Sequence, residues 1–124
     1  MDRDDSLPPR HWAEAVARRH LERRGWRCLA RDAVVPGGEL DLVMLDGRTV
    51  VVVEVRQRTG ARYGTPAETI HRGKRRRLRR SARAWVHRHG RALRLPDLPR
   101  MRIDAVLVEG GPRRHRLRHL EDVA

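Results

Sequence analysis

The 124-residue sequence is poor in several residue types: it has one cysteine, Cys28, no phenylalanine, and only Trp12, Trp26, Tyr63 and Trp85 as aromatic residues. A single cysteine excludes an intrachain disulfide and a cysteine-based zinc site, and it suits a reducing cytoplasm. The aromatic residues are not interleaved with basic ones, so no base-stacking platform is expected. No apolar run is long enough to span a bilayer, and no charged n-region with a following apolar segment marks export. A soluble cytoplasmic protein is the expected class. Lysine is nearly missing as well: of 29 basic residues only Lys74 is lysine.

Positive charge is abundant. The formal net charge is +13 and the isoelectric point is near 11.7, which points to a polyanionic partner, nucleic acid above all. Arginine grips phosphate through two parallel hydrogen bonds, although its predominance also follows genomic base composition. The length suits one domain over residues 1–124, with residues 1–7 expected to fray.

Pro8 and Pro9 lead into a first helix near residues 10–24, where Ala13, Val16, Ala17, His20 and Leu21 share a stripe and Gly25 stops it. Trp26 to Val35 reads as a strand running into Pro36-Gly37-Gly38, and two more strands flank Asp46-Gly47, a hairpin signal. Thr65-Pro66-Ala67-Glu68 supplies a cap for a long helix ending near Gly90. Pro96 and Pro99 bracket a connector, Met101 to Val108 reads as a strand, and a last strand follows near 114–120. Helix, three strands, helix, two strands is a mixed α/β order.

The segment Gly37 to Arg58 sets Glu39, Asp41, Glu54 and Arg56 among apolar residues. With Asp46 and Gly47 as the loop, Leu45 faces Arg48, Glu39 faces Glu54 and Asp41 faces Val52. Leu40, Leu42, Met44, Val51, Val53 and Val55 then form one apolar face. The charges collect at the far end of the other. Asp41 and Glu54 are diagonal neighbours in this register, roughly 7–8 Å apart at the backbone. Half-buried carboxylates so close repel, and a hard divalent cation, Mg²⁺ or Mn²⁺, is a natural partner because it takes oxygen ligands and water and binds phosphate. Arg56 either contacts a phosphate or neutralises Glu54. Glu14, about 20° from Leu21 around the first helix, can reach the same cluster or pair with Arg18.

These residues carry a family resemblance. Trp12-Ala13-Glu14-Ala15, Gly38-Glu39-Leu40-Asp41-Leu42-Val43, Val53-Glu54-Val55-Arg56-Gln57-Arg58, Tyr63-Gly64-Thr65-Pro66-Ala67-Glu68 and Arg102-Ile103-Asp104 resemble the YraN-type family of small bacterial proteins. The resemblance implies a PD-(D/E)XK, restriction-endonuclease-like fold: a mixed central sheet flanked by helices, with archaeal Holliday junction resolvases as relatives. It implies that Asp41 and Glu54 are the metal-binding acids and that Glu14 is the helix-borne acid completing the site. Arg56 stands where the motif has lysine, and arginine cannot shed its proton to assist a water nucleophile.

The second helix carries Lys74, Arg75, Arg76, Arg77, Arg79, Arg80 and Arg83 around a stripe of Ile70, Leu78, Ala82, Trp85 and Val86. So many like charges suit salt-sensitive, sequence-independent contact with a nucleic-acid backbone. His87, His89, His115 and His119 lack the partners of a zinc site and are expected at the surface. Asp104 is expected to pair with an arginine and Cys28 to be a small buried residue. The expected function is metal-dependent hydrolysis of DNA phosphodiesters, with branched or otherwise structured DNA as a substrate. Alternatives are a non-catalytic nucleic-acid-binding module and a basic RNA-associated protein. By analogy with resolvases, a homodimer is compatible with this reading.

Overall fold

The computed structural model describes residues 9–58, 72–95 and 99–123. Helix α1 (Pro9–Arg23) is followed by strands β1 (Arg27–Val35), β2 (Gly38–Asp46) and β3 (Thr49–Arg58), helix α2 (Arg72–His89), and strands β4 (Arg100–Gly110) and β5 (His115–Leu120). This is the expected α/β order. Residues 1–7, Pro8, Tyr63, the Thr65–Glu68 cap, Ile70 and Pro96 lie outside the described residues. Gly25 ends α1 as its position predicts: at φ +91° it lets its own N–H reach the Glu22 carbonyl and the Trp26 N–H reach that of Leu21. These two bonds make a Schellman cap.

The strands form one five-stranded sheet in sequential order. All neighbours are antiparallel except β3 and β4, which run parallel, with α2 lying between them in sequence as the crossover element. The result is a mixed central sheet flanked by helices, consistent with a restriction-endonuclease-like arrangement. Alternation along the strands supplies both faces. Leu42, Met44, Val51, Val53, Val106 and Val108 pack with Trp12, Ala13, Val16, Ala17 and Leu21 of α1. Val43, Val50, Val52, Ile103 and Ala105 pack with Leu78, Ala82 and Trp85 of α2. Each buried valine of β3 stabilises the sheet by about 1.5–3 kcal/mol.

The hairpin register differs from the expected one. Asp46 faces Thr49 and Leu45 faces Val50, so Gly47 and Arg48 are the loop residues. Gly47, at φ +60°, takes the first loop position, the place a type II′ turn gives to glycine, and Asp46 gains a strand partner instead. The shift is by two residues, so side chains keep their faces. One expected neighbour still departs: Leu40 packs on the α2 side with Val35 and Val43, not with Leu42. Alternation breaks at Asp41, just beyond the last hairpin pair, Leu42 with Val53.

A second buried acid ties β4, β5 and the end of α1 together. Asp104 is 0% exposed. It accepts from Arg102 Nε and Nη2 at 2.8 and 2.9 Å and from the Asp122 N–H at 2.9 Å, so the expected arginine partner is present. His119 Nε2 lies 2.7 Å from the same carboxylate, and Arg24 Nη1 lies 2.6 Å from His119 Nδ1. Arginine only donates, so Nδ1 accepts and Nε2 carries the proton that Asp104 receives. His119 is therefore not the surface residue expected, its side chain being 7% exposed: the buried carboxylate needs the donor. Trp26 sits under both guanidinium groups, at 5.3 and 5.6 Å, with the His119 ring edge-on at 5.4 Å. Asp104, His119 and Glu121 are close enough to hold a metal ion. Both Asp104 oxygens already take the Arg102 fork, however, and Glu121 faces Arg24 and Arg102. Guanidinium groups thus fill the cationic role there.

Burial alone would raise the Asp104 pKa, but hydrogen bonds from His119, Arg102 and the Asp122 N–H, with the Arg102 charge, hold it below the ordinary value. The unfolded chain then takes up the proton first. The stability Asp104 contributes is complete above about pH 4 and is lost as pH falls through the lower folded-state value. Asp104→Asn should cost about 3 kcal/mol at pH 7. Urea unfolding of both proteins between pH 7 and pH 3 should show their stabilities converging in acid, and a constant difference would contradict this.

Candidate functional site

Strand β3 is apolar on both faces until Glu54: Val50 to Val53 are buried, and Glu54 follows them at 6% exposure. Asp41 of β2 is equally secluded at 7%. The β2–β3 pairing ends at Leu42 with Val53, one residue short of Asp41 and Glu54, and Val52 pairs with Val43 and not with Asp41 as expected. The Asp41 Oδ2 atom accepts the Val55 N–H at 2.9 Å, so β3 backbone fixes one acid beside the other. Together with Ala13, Val55, Arg56, Gln57 and Lys74 they line an open cavity of about 320 Å³. It lies at the C-terminal end of β3, between residues of α1 and α2.

Buried carboxylates need cationic partners, since desolvation without pairing costs several kcal/mol per ion, on the order of the whole stability margin. Two cations converge on Glu54 Oε1: Lys74 Nζ at 2.5 Å and Arg56 Nε at 3.5 Å. The second separation is too long for a good hydrogen bond. Arg56 Nε is buried with no hydrogen-bond partner among the described residues. A buried cationic donor so placed suits an incoming oxygen ligand.

Glu14 is 4% exposed, next to the cavity-lining Ala13. It is thus buried and not solvated as the surface alternative has it. Glu39, expected at the charged end opposite Glu54, is exposed and does not line the cavity. On α2, Arg76, Arg79, Arg80 and Arg83 are exposed and Arg75 is half-buried. Arg79 and Arg83 also line a smaller hollow with Ala82, Met101 and Ile103. Cys28 is half-buried, and burial raises its thiol pKa, outweighing the nearby arginines.

Lys74 departs from its expected place. Grouped by sequence with the surface arginines, it points into the cavity. Two signals bear on this. It is the single lysine among the basic residues, and it precedes Leu78, Ser81, Ala82 and Trp85, all buried, by four, seven, eight and eleven residues. Those spacings are one helical face.

The cavity therefore offers two carboxylates able to ligate a hard cation and two cations able to meet phosphate oxygens. The sequence model of the Uncharacterised protein family UPF0102 matches residues 13–108, a span that contains every residue lining this cavity. A UPF0102 protein of Thermus thermophilus is 48% identical over 109 residues, covering 88% of this chain and 90% of the relative. One from Xylella fastidiosa is 44% identical over 99 residues, covering 80% and 78%. The UPF0102 protein YraN of Escherichia coli is 43% identical over 97 residues, covering 78% and 72%. The chain, with Asp41 of β2 and Glu54 of β3 lining one cavity, belongs to the UPF0102 family.

Proposed function

We propose that the chain is a metal-dependent nuclease of the PD-(D/E)XK type acting on DNA, branched or otherwise structured DNA included. The observation that carries this reading is the convergence of buried Asp41 and Glu54 in one open cavity with Arg56 and Lys74. Further support comes from the element order, helix, three antiparallel strands, crossover helix and parallel strand. The residues fit Mg²⁺ or Mn²⁺: the donors are carboxylate oxygens, which hard cations prefer, and the cavity leaves room for water and a phosphate. Arg56 Nε, 3.5 Å from Glu54 Oε1 but without a hydrogen bond among the described residues, is a donor for such a phosphate.

In this reading Asp41 and Glu54 hold the cation, and Glu14 supports it from α1. A bound divalent cation supplies Lewis acidity and a water of lowered pKa. Arg56 orients the phosphodiester and balances the charge that develops on its oxygens. Lys74, expected among the DNA contacts, also lines the cavity. Arg76, Arg79, Arg80 and Arg83, with Arg75 beside them, grip the backbone without reading bases. A homodimer would place two such sites on one branched substrate. A second reading, a binding module without turnover, is favoured by one observation: arginine at position 56 cannot serve as a base.

Titrating Mg²⁺ or Mn²⁺ into the protein with single-stranded, duplex and four-way-junction DNA should produce cleavage. Asp41→Ala and Glu54→Ala should each lose at least about 100-fold in rate while binding persists. Tight binding with no metal-dependent cleavage of any substrate would favour the binding module. Replacing Arg76, Arg79 and Arg80 by alanine should weaken DNA binding and flatten its dependence on the logarithm of salt concentration by up to about 0.9 per arginine. Unchanged affinity would make the helix ordinary surface, and tighter binding of RNA than DNA would support the RNA-associated alternative.

A further inference from the structure

The acid cavity lies at the C-terminal end of β3. A second hollow, of about 330 Å³, lies at the opposite end of that strand, beside the β2–β3 loop, and shares no lining residue with the first. Three arginines reach it from segments far apart in the chain: Arg27 opens β1, Arg48 is in the hairpin loop and Arg94 follows α2. All three are exposed, and half-buried Leu45, Leu93 and Leu95 line the hollow with them. Arg94 has φ +57°, a left-handed backbone uncommon for a residue with a Cβ. That turn lets Leu93, Arg94 and Leu95 line the hollow in succession, where an extended chain would send alternate side chains away. Among the described residues no carboxylate lines it. The adjacent acid, Asp46, lies in the field of Arg102 instead.

We propose that this hollow is a second phosphate-binding site, which holds the sugar–phosphate backbone of duplex DNA at a distance from the acid pair. This rests on the DNA-binding part of the function proposed above. Guanidinium groups meet phosphate oxygens through paired hydrogen bonds, and three like charges around one hollow repel until an anion enters. The leucines suit the apolar side of a deoxyribose and offer no hydrogen bond to a base edge, so the contact is independent of sequence. Helix α2 connects the two sites. It begins beside the acid cavity, which Lys74 lines, and is followed by the turn that carries Arg94, with exposed Arg76, Arg79, Arg80 and Arg83 between. Fifteen helical steps from Lys74 to His89 span about 22 Å. Six strand steps from Arg48 to Glu54 span about 20 Å. At about 3.4 Å per base step, the phosphate held in the hollow is roughly six steps from the one at the acid pair.

Binding measured in EDTA, by anisotropy of a labelled duplex of about 20 base pairs, long enough for both sites, tests this without any cleavage. Replacing Arg27, Arg48 and Arg94 together by alanine should weaken binding at least about tenfold and lower its dependence on the logarithm of salt concentration by up to about 0.9 per arginine. Arg114, Arg116 and Arg118, exposed at β5, give a control of equal charge, and their replacement by alanine should cost no more than about threefold. Equal losses in the two variants would reduce the effect to net charge and overturn the site. Arg48→Glu, one change in an exposed loop that leaves the core intact, should weaken binding as well, and full affinity there would also overturn it. If a labelled deoxynucleoside monophosphate bound the wild type and not the triple variant, with duplex affinity the same in both, the hollow would be a site for free nucleotides and the backbone contact would be refuted. A wild-type chain that binds no duplex would sink the hollow together with the DNA reading. Binding that depends on the hollow, with no cleavage when metal is added, would sink the nuclease reading alone.

Discussion

Two carboxylates held out of water at the end of an apolar sheet are the constraint around which the rest is arranged. Asp41 and Glu54 sit beside Val50 to Val53, which are nearly inaccessible, and neither acid is tolerable there without positive charge. Lys74 and Arg56 provide it to Glu54 from α2 and β3, and Asp41 accepts the Val55 N–H. The arrangement is open to solvent and crowded with charges of both signs, unlike the Asp104 network. There every acceptor is matched by Arg102, His119 or backbone, which suits a structural joint between β4, β5 and the end of α1. Similar residue types thus have different uses. One acid is enclosed by its partners, and the other pair opens onto a cavity.

Much of this was legible in the sequence because period-two alternation survives errors that are even. The expected hairpin loop lies one residue before the actual one, which slips the strand pairing by two, yet Leu42, Met44, Val51 and Val53 fall on the expected face and Asp41 and Glu54 line one cavity. A pairing slip of one residue would have exchanged the faces. The Asp-Gly pair marks a turn in either case. It does not say whether glycine occupies the first or second loop position, and that choice sets the register.

What escaped the sequence depends on contacts between distant segments. His119 carries no local mark of burial, and its place follows from Asp104, fifteen positions earlier in the chain. Leu40 leaves its expected face next to Asp41, whose side chain accepts a β3 backbone N–H. Lys74 was hidden by its company: in a run of basic residues, charge suggests surface, while the spacing to Leu78, Ser81, Ala82 and Trp85 points inward. Where charge and periodicity disagree on one residue, the conflict itself marks a position under functional or structural demand.

The central claim is that Asp41 and Glu54 together form a cation site and that Lys74 occupies it only as a counter-ion. Crystals of the protein grown with Mn²⁺, measured for anomalous scattering, address it most directly. The account predicts a peak within ligand distance of both carboxylates, with Lys74 Nζ displaced from Glu54 Oε1. No peak in that cavity, with Lys74 still bonded to Glu54, or a peak only between Asp104, His119 and Glu121, would contradict it.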